Sequence, residues 1–278
     1  MSRLAVLSLL IVCASAQASE CRFTEIIDLR PFASEIGNRN IAFFAKDPTT
    51  GMCWTTGRKG TAIRHRPWSS FKIPHLLIAL ETGAASSLAE TIEWDSTRFP
   101  AQSYWPEEWA QAQTLESAFK RSVAWYFQAL VPRIGESAYR KWLARFHYGN
   151  RVVPIGKDDF WLDGSLLISP MQQVEFLTCV VTSGCGVSRQ STQALDVAAF
   201  QKDEKYYRLY GKTGSGPLRP GNWGGPFGGW FVGYVRDPDS PRVTVLALYA
   251  EGDSFSSLRM FRRDFSIRLL SSIGAWPR

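Results

Sequence analysis

The sequence predicts an α+β fold of two lobes, a central antiparallel sheet flanked by helices with an all-helical lobe inserted. Three observations predict it. Strand-like texture opens the chain, helical spacing fills its middle, and strand-like texture returns before one last helix. Early and late strands that share one sheet leave the middle as a second lobe, and a cleft between lobes is the natural place for a site.

Each element has its own signal. Ile41 to Ala45 and Met52 to Thr56 are apolar or β-branched runs around Asp47-Pro48-Thr49-Thr50-Gly51, which predicts a hairpin. From Ile73 the spacing turns helical, through Leu76, Leu77 and Leu80 and later Leu115, Phe119, Trp125 and Phe127. Ser169 before Pro170 reads as an N-cap followed by proline at the first helical position. Tyr206 to Tyr210, Trp230 to Val235 and Val243 to Tyr249 are rich in β-branched and aromatic residues, with Gly and Pro between them. A last amphipathic helix is expected from Ser257 to Ile273. The helical lobe is expected over about residues 73–200, and the sheet lobe over 19–72 plus 201–278, as one domain.

Composition narrows the class. The chain has 278 residues, 45% hydrophobic and 21% charged, which is globular rather than disordered. Eleven tryptophans and 17 phenylalanines supply a core that needs no disulfide scaffold. Arg3, the apolar run Leu4 to Val12 and Ala16-Gln17-Ala18 predict a signal peptide over residues 1–18, cleaved on export to the periplasm. That run is too short to span a bilayer, so no stable membrane anchor is expected. The formal charge of +7 is scattered, densest at Arg259, Arg262 and Arg263. This is a solvated basic surface rather than a nucleic-acid stripe, and it suits a small anionic substrate. Of Cys21, Cys53, Cys179 and Cys185, the last two are a candidate disulfide. Their spacing fits no zinc site, so no metal is expected.

The chemistry starts at Ser69-Ser70-Phe71-Lys72. A serine at a helix start lies near the positive end of the dipole, and a lysine three residues on shares its face. An ammonium is no base, so Lys72 must be desolvated or modified to take the serine proton. Alone this pair is common. Downstream come Ser122-Val123 in the helical block, Tyr148-Gly149-Asn150, Phe160-Trp161-Leu162 and, on a strand, Lys212-Thr213-Gly214.

Taken in this order, the motifs resemble the serine β-lactamases and penicillin-binding proteins, and the Tyr-Gly-Asn and Phe-Trp-Leu triplets resemble class D, the oxacillinase type. Neither Ser-Asp-Asn nor Glu-x-x-Leu-Asn, the class A marks, is present. Ile168-Ser169-Pro170, Tyr210-Gly211 before the lysine, and Gly229-Trp230-Phe231-Val232-Gly233 continue the resemblance over nearly the whole chain.

The resemblance implies the following roles. Ser69 opens the lactam, and Lys72 carries a carbamate (N6-carboxylysine) from carbon dioxide or bicarbonate as the general base. Trp161 steadies that carbamate, and Ser122 relays the proton to the leaving nitrogen. Backbone N–H groups of Ser69 and Ser215 form the oxyanion hole. Lys212, Thr213, Gly214 and Arg259 bind the substrate and its carboxylate. The implied reaction is hydrolysis of the β-lactam amide of penicillin-type antibiotics, by a monomer or homodimer without other cofactor. A β-lactam sensor or a peptidoglycan transpeptidase of the same fold is the alternative. One departure stands out: Ala124 follows Ser122-Val123 where many class D enzymes have valine. If that position packs near the carbamate, alanine leaves a gap of about two methyl groups. His65, His75 and His147 have no carboxylate partner at readable spacing and read as structural.

Overall fold

The computed structural model describes residues 21–237 and 239–277, so the expected signal peptide over residues 1–18 lies outside the described residues. The chain starts with β1 (Phe23–Ile26) and a short helix α1 (Ala33–Ile36), then the hairpin β2 (Asn40–Asp47) and β3 (Met52–Thr55). Asp47 Oδ1 accepts from the backbone N–H of Thr49 at 2.8 Å, and Gly51 takes φ +75°, so the predicted turn chemistry forms the turn. After α2 (Arg58–Ala62), a 3-10 turn over Trp68–Phe71 runs into α3 (Lys72–Glu81).

The inserted lobe follows. A two-stranded ladder, β4 (Thr91–Ile92) with β5 (Gln113–Thr114), precedes α4 (Leu115–Arg121), α5 (Ala124–Ile134) and α6 (Glu136–Arg145). The lobe is therefore helical except for this ladder and its long loops. Next come α7 (Pro170–Val181) and α8 (Arg189–Ala199). Ser169 caps α7 as expected, accepting from Gln172 N at 3.2 Å while the Gln172 side chain bonds back. The chain then returns as β6 (Phe200–Glu204), β7 (Tyr207–Pro217), β8 (Phe227–Arg236) and β9 (Val243–Gly252).

The seven-stranded sheet has the order β1-β3-β2-β9-β8-β7-β6. Early and late strands meet at the β2/β9 pair, as an insertion requires. Every pair is antiparallel except β1 with β3, so the sheet is mixed at one edge rather than wholly antiparallel. The exception is topological: in sequence β2 separates β1 from β3 and runs opposite to both, so those two are parallel where they pair in the sheet. A Cys21–Cys53 disulfide ties that edge, and a Cys179–Cys185 disulfide closes the loop after α7.

The last helix is two pieces, α9 (Phe255–Arg259) and α10 (Phe261–Ser272), broken at Met260, where one continuous helix from Ser257 was expected. Leu258 of α9 packs with Phe227 and Ala250, whereas Phe265, Leu269 and Leu270 of α10 pack against Phe43, Leu246 and Leu248. The bend lets both pieces bury their apolar side chains. Between the other sheet face and the inserted lobe lies the larger core, which includes Phe71, Trp161 and Trp230. Strand β8 is buried from Phe227 to Val235 because it has packing on both faces.

Candidate active site

Ser69 sits on the 3-10 turn ahead of α3, and glycines on β7 and β8 let that turn dock. Trp68, at φ +45°, is buried with its indole over two of them. A Cβ at Gly216 would stand 2.3 Å from Trp68 Nε1, and one at Gly228 2.5 Å from Trp68 Cη2. A Cβ at Gly214 would stand 2.6 Å from Ser70 N, so no larger residue fits against the turn. The second serine is structural: Ser70 Oγ donates to Pro67 O at 2.7 Å and accepts from Gln173 Nε2 at 3.0 Å.

Lys72 opens α3 one turn beyond Ser69, and its Nζ donates to Ser69 Oγ at 3.0 Å. The lysine is completely buried, with Nζ 5.2 Å from the Phe127 ring centroid. Burial pushes its pKa down to about 7, because so apolar a setting disfavours the ammonium. Trp161 stacks on Phe71 at 5.5 Å and is itself fully buried, with an Nε1 that has no hydrogen-bond partner among the described residues. His75 lies one turn along α3, bonded through Nε2 to Tyr139 Oη, with Nδ1 unpartnered. Burial, then the Lys72 charge, holds its pKa well below the usual range.

The Tyr148-Gly149-Asn150 triplet holds the loop that carries Trp161. Asn150 Nδ2 donates to Ser165 O at 2.8 Å, and its Oδ1 accepts from Leu167 N at 3.0 Å. Gly149, at φ +55°, lies so close to Leu167 that a Cβ would fall 2.0 Å from its carbonyl oxygen. Trp161 O in turn accepts from Trp68 N at 3.2 Å, joining the loop to the Ser69 turn.

From the inserted lobe, Ser122 stands between α4 and α5 at φ +62°. Lys212 Nζ donates to Ser122 Oγ and, at 3.0 Å, to Thr213 O. Strand β6 pairs with β7 only as far as Tyr210, so Lys212, Thr213, Gly214 and Ser215 run along a locally free edge. Lys212 is buried, and its pKa is driven well down by burial first and by the Lys72 and Arg262 charges after it. Ala124 starts α5 one turn before Phe127, on the helical face that Phe127 turns to Lys72. Ser69, Lys72, Ser122, Trp161 and the Lys212 strand are thus one connected cluster.

Arg259 ends α9 and is exposed. Its neighbour Arg262, read from the sequence as part of a solvated basic surface, is instead buried, and its Nη1 donates to Gly214 O at 2.8 Å. Burial, then the Arg259 charge, lowers its pKa to about 10, which leaves it cationic at neutral pH. Sequence reasoning missed it because a helix continuous from Ser257 would not reveal the turn at Met260. Tyr104, from a loop of the inserted lobe, stacks on Trp223 of the β7–β8 turn at 4.3 Å. Among the described residues no group of three His, Cys, Asp or Glu side chains is placed to hold a metal. A separate groove of about 570 Å³ beside Ile27, Phe32 and Arg268 contains none of the candidate residues.

Residues 47–260 match the family described as penicillin binding protein transpeptidase domain. The chain is 32% identical over 203 residues to a probable β-lactamase of Bacillus subtilis (strain 168), YbxI, covering 73% of this chain and 72% of that protein. Its fold superposes on a class D β-lactamase from Sebaldella termitidis with TM-score 0.80 and 25% identity, over 92% and 99% of the two chains. The chain belongs to the class D serine β-lactamases. Relatedness extends to the regulatory protein BlaR1 of Bacillus licheniformis, 31% identical over 220 residues; these are 79% of this class D chain but only 34% of that protein.

Proposed function

We propose that the protein hydrolyses the β-lactam amide of penicillin-type antibiotics in the periplasm, through an acyl-enzyme on Ser69. The observation that carries this reading is the 3.0 Å contact between Ser69 Oγ and a completely buried Lys72 amine. With a pKa of about 7, a large part of that amine is neutral at physiological pH. A neutral amine adds carbon dioxide, and the buried Trp161 Nε1 without a partner fits an oxygen of the resulting carbamate. Bound there, the carbamate would supply the general base for acylation and deacylation.

The chain's own groups do the rest. Ser69 Oγ loses its proton to the base at Lys72 and bonds to the lactam carbonyl carbon. The negative charge that develops on the carbonyl oxygen is met by the backbone N–H groups of Ser69 and Ser215. As the C–N bond breaks, Ser122, hydrogen-bonded to Lys212, gives its proton to the nitrogen and takes in its place the proton that the base at Lys72 removed from Ser69, which leaves that base free again. Lys212, Thr213 and Arg259 hold the substrate carboxylate, and the glycine at 214 lets it approach the strand. Water then loses a proton to that base and bonds to the ester carbon, and as the ester C–O bond breaks the same proton returns to Ser69 Oγ.

The likeness to BlaR1 favours a second reading, a sensor that is acylated and stays so. Steady-state hydrolysis of a chromogenic cephalosporin separates the two. Many turnovers per enzyme, absent in Ser69→Ala, are expected; one stoichiometric burst would favour the sensor, and no labelling of Ser69 by a fluorescent penicillin would defeat both.

A further inference from the structure

We infer that His75 is a second hydrogen-bond donor for the carbamate on Lys72, giving its Nδ1–H to the group that Trp161 meets with its Nε1–H. This rests on the carbamate chemistry proposed above.

Three observations carry it. First, the imidazole is in place. His75 follows Lys72 by three residues on α3, which puts both side chains on one face of the helix. Its ring centroid lies 4.9 Å from that of Phe127, the ring over which Lys72 Nζ sits, and 5.1 Å from that of Trp161. Burial first, and the Lys72 charge after it, keep the imidazole neutral. A neutral imidazole carries a single N–H, so one ring nitrogen donates and the other accepts.

Second, the tautomer is set from the far side of the ring. Tyr139 of α6 is fully buried, and its hydroxyl bonds to His75 Nε2 and to nothing else among the described residues. If Nε2 were the donor, the phenol proton would lack an acceptor and Nδ1 would be a bare acceptor, so two buried groups would go unmet. With the phenol donating to Nε2, only one group is left over, an N–H at Nδ1. Nδ1 and Nε2 point to different sides of the ring, so this N–H faces away from Tyr139.

Third, the leftover donor is one of two. Among the described residues neither His75 Nδ1 nor Trp161 Nε1 has a hydrogen-bond partner, and both side chains are fully buried. A buried donor without an acceptor costs stability, and here two stand on neighbouring rings around one buried lysine. The free amine offers one lone pair at most. When its nitrogen bonds to the carbon of carbon dioxide and gives a proton to water, one negative charge spreads over two oxygens. Two oxygens then meet two donors, so the pair suits the modified lysine better than the free one.

The test reads NMR of 15N-labelled histidine together with the carbamate resonance in 13C-labelled bicarbonate. In the unaltered enzyme His75 shows the Nδ1–H tautomer, and its Nδ1 signal shifts in step with the carbamate resonance as bicarbonate is added. No such shift occurs in Lys72→Ala. In His75→Leu the bicarbonate needed for half the carbamate signal rises about tenfold, as loss of one bond to a charged group predicts. Its kcat for a chromogenic cephalosporin falls at low bicarbonate and recovers at saturation, with KM little changed. His75→Asn, whose amide can place an N–H near the Nδ1 position, needs at most about threefold more bicarbonate than the unaltered enzyme. Should His75→Leu not fold, Tyr139→Phe decides. Without the phenol the ring can carry its proton on Nε2 as well, and the bicarbonate requirement rises about threefold with the imidazole still present. An Nε2–H tautomer in the unaltered enzyme, or a carbamate resonance that forms without moving Nδ1, overturns the inference. So does an unchanged bicarbonate requirement in the folded variant, or a loss of turnover that saturating bicarbonate does not repair, which would mark a merely structural residue. No carbamate resonance at all in the unaltered enzyme would instead overturn the proposed base at Lys72, so the two failures are distinguishable.

Discussion

Lys72 and Lys212 are both buried and both bonded to a serine hydroxyl, yet their surroundings differ in kind. Lys72 meets Ser69 Oγ and lies over the Phe127 ring, completely buried. Lys212 has two oxygen acceptors, Ser122 Oγ of the inserted lobe and Thr213 O of its own strand, beyond the point where β6 stops pairing. Burial depresses both, but only the second is also pressed by other cations, Lys72 and Arg262. The difference teaches a division of labour. This supports the proposed roles, in which burial beside an aromatic ring makes the Lys72 amine neutral and reactive and a cationic edge at Lys212 makes a seat for an anion.

The largest break in this comparison comes from removing the reactive amine. Lys72→Ala should lower kcat for a chromogenic cephalosporin about 10^4-fold, leaving at most slow acylation of Ser69. Normal turnover in that variant would end the assignment.

Stability against pH gives the next largest effect. The folded pKa of Lys72, about 7, lies below its ordinary 10.5, so between those values the unfolded chain binds the extra proton and stability rises with pH. Lys72→Met should therefore be more stable than the unaltered protein below pH 7, by at most ~5 kcal/mol, in buffer free of carbon dioxide. The advantage should fade toward pH 10.5, read by denaturant melts at several pH values. A gap that does not change with pH would mean that Lys72 stays charged.

Lys212→Ala tests the other side. Loss of a charge-assisted contact worth ~2 kcal/mol predicts a KM raised roughly 30-fold for carboxylate-bearing substrates. An ester of the same substrate should be much less affected; equal losses would remove the carboxylate role. The smallest effect belongs to Ala124→Val, which fills space on the Phe127 face of α5. Turnover should need a bicarbonate concentration changed by about threefold, in line with closing a gap of about two methyl groups. Identical bicarbonate dependence would show that position 124 does not touch the Lys72 pocket.

The two-lobed fold and the cluster were legible in the sequence because each rests on local signals. The hairpin announced itself through Asp47 to Gly51, α7 through Ser169-Pro170, and the Ser69 turn with its lysine contact through the three-residue spacing of Ser69 and Lys72. Strand β1 was not legible: its four residues are exposed and carry no alternation, and its pairing to β3 depends on a distant partner. The Cys21–Cys53 bridge is hidden for the same reason, since spacing alone does not set connectivity. Arg262 was read as surface because nothing local tells a buried arginine from a solvated one. Only the bend at Met260 and the missing side chain at Gly229 give it a place inside. The triplet at Tyr148 was legible as a motif, but its work, holding the loop of Trp161, shows only in the bonds of Asn150.

In the proposed mechanism Lys72 is a neutral amine that takes up carbon dioxide. Carbon-13 NMR of the protein in 13C-labelled bicarbonate tests it most directly. One carbamate resonance is predicted, lost in Lys72→Ala and weakened in Trp161→Phe, with its intensity falling as pH drops below about 7. No such resonance at saturating bicarbonate above that pH, in enzyme that still turns over antibiotic, would contradict the account and leave the free amine as the base.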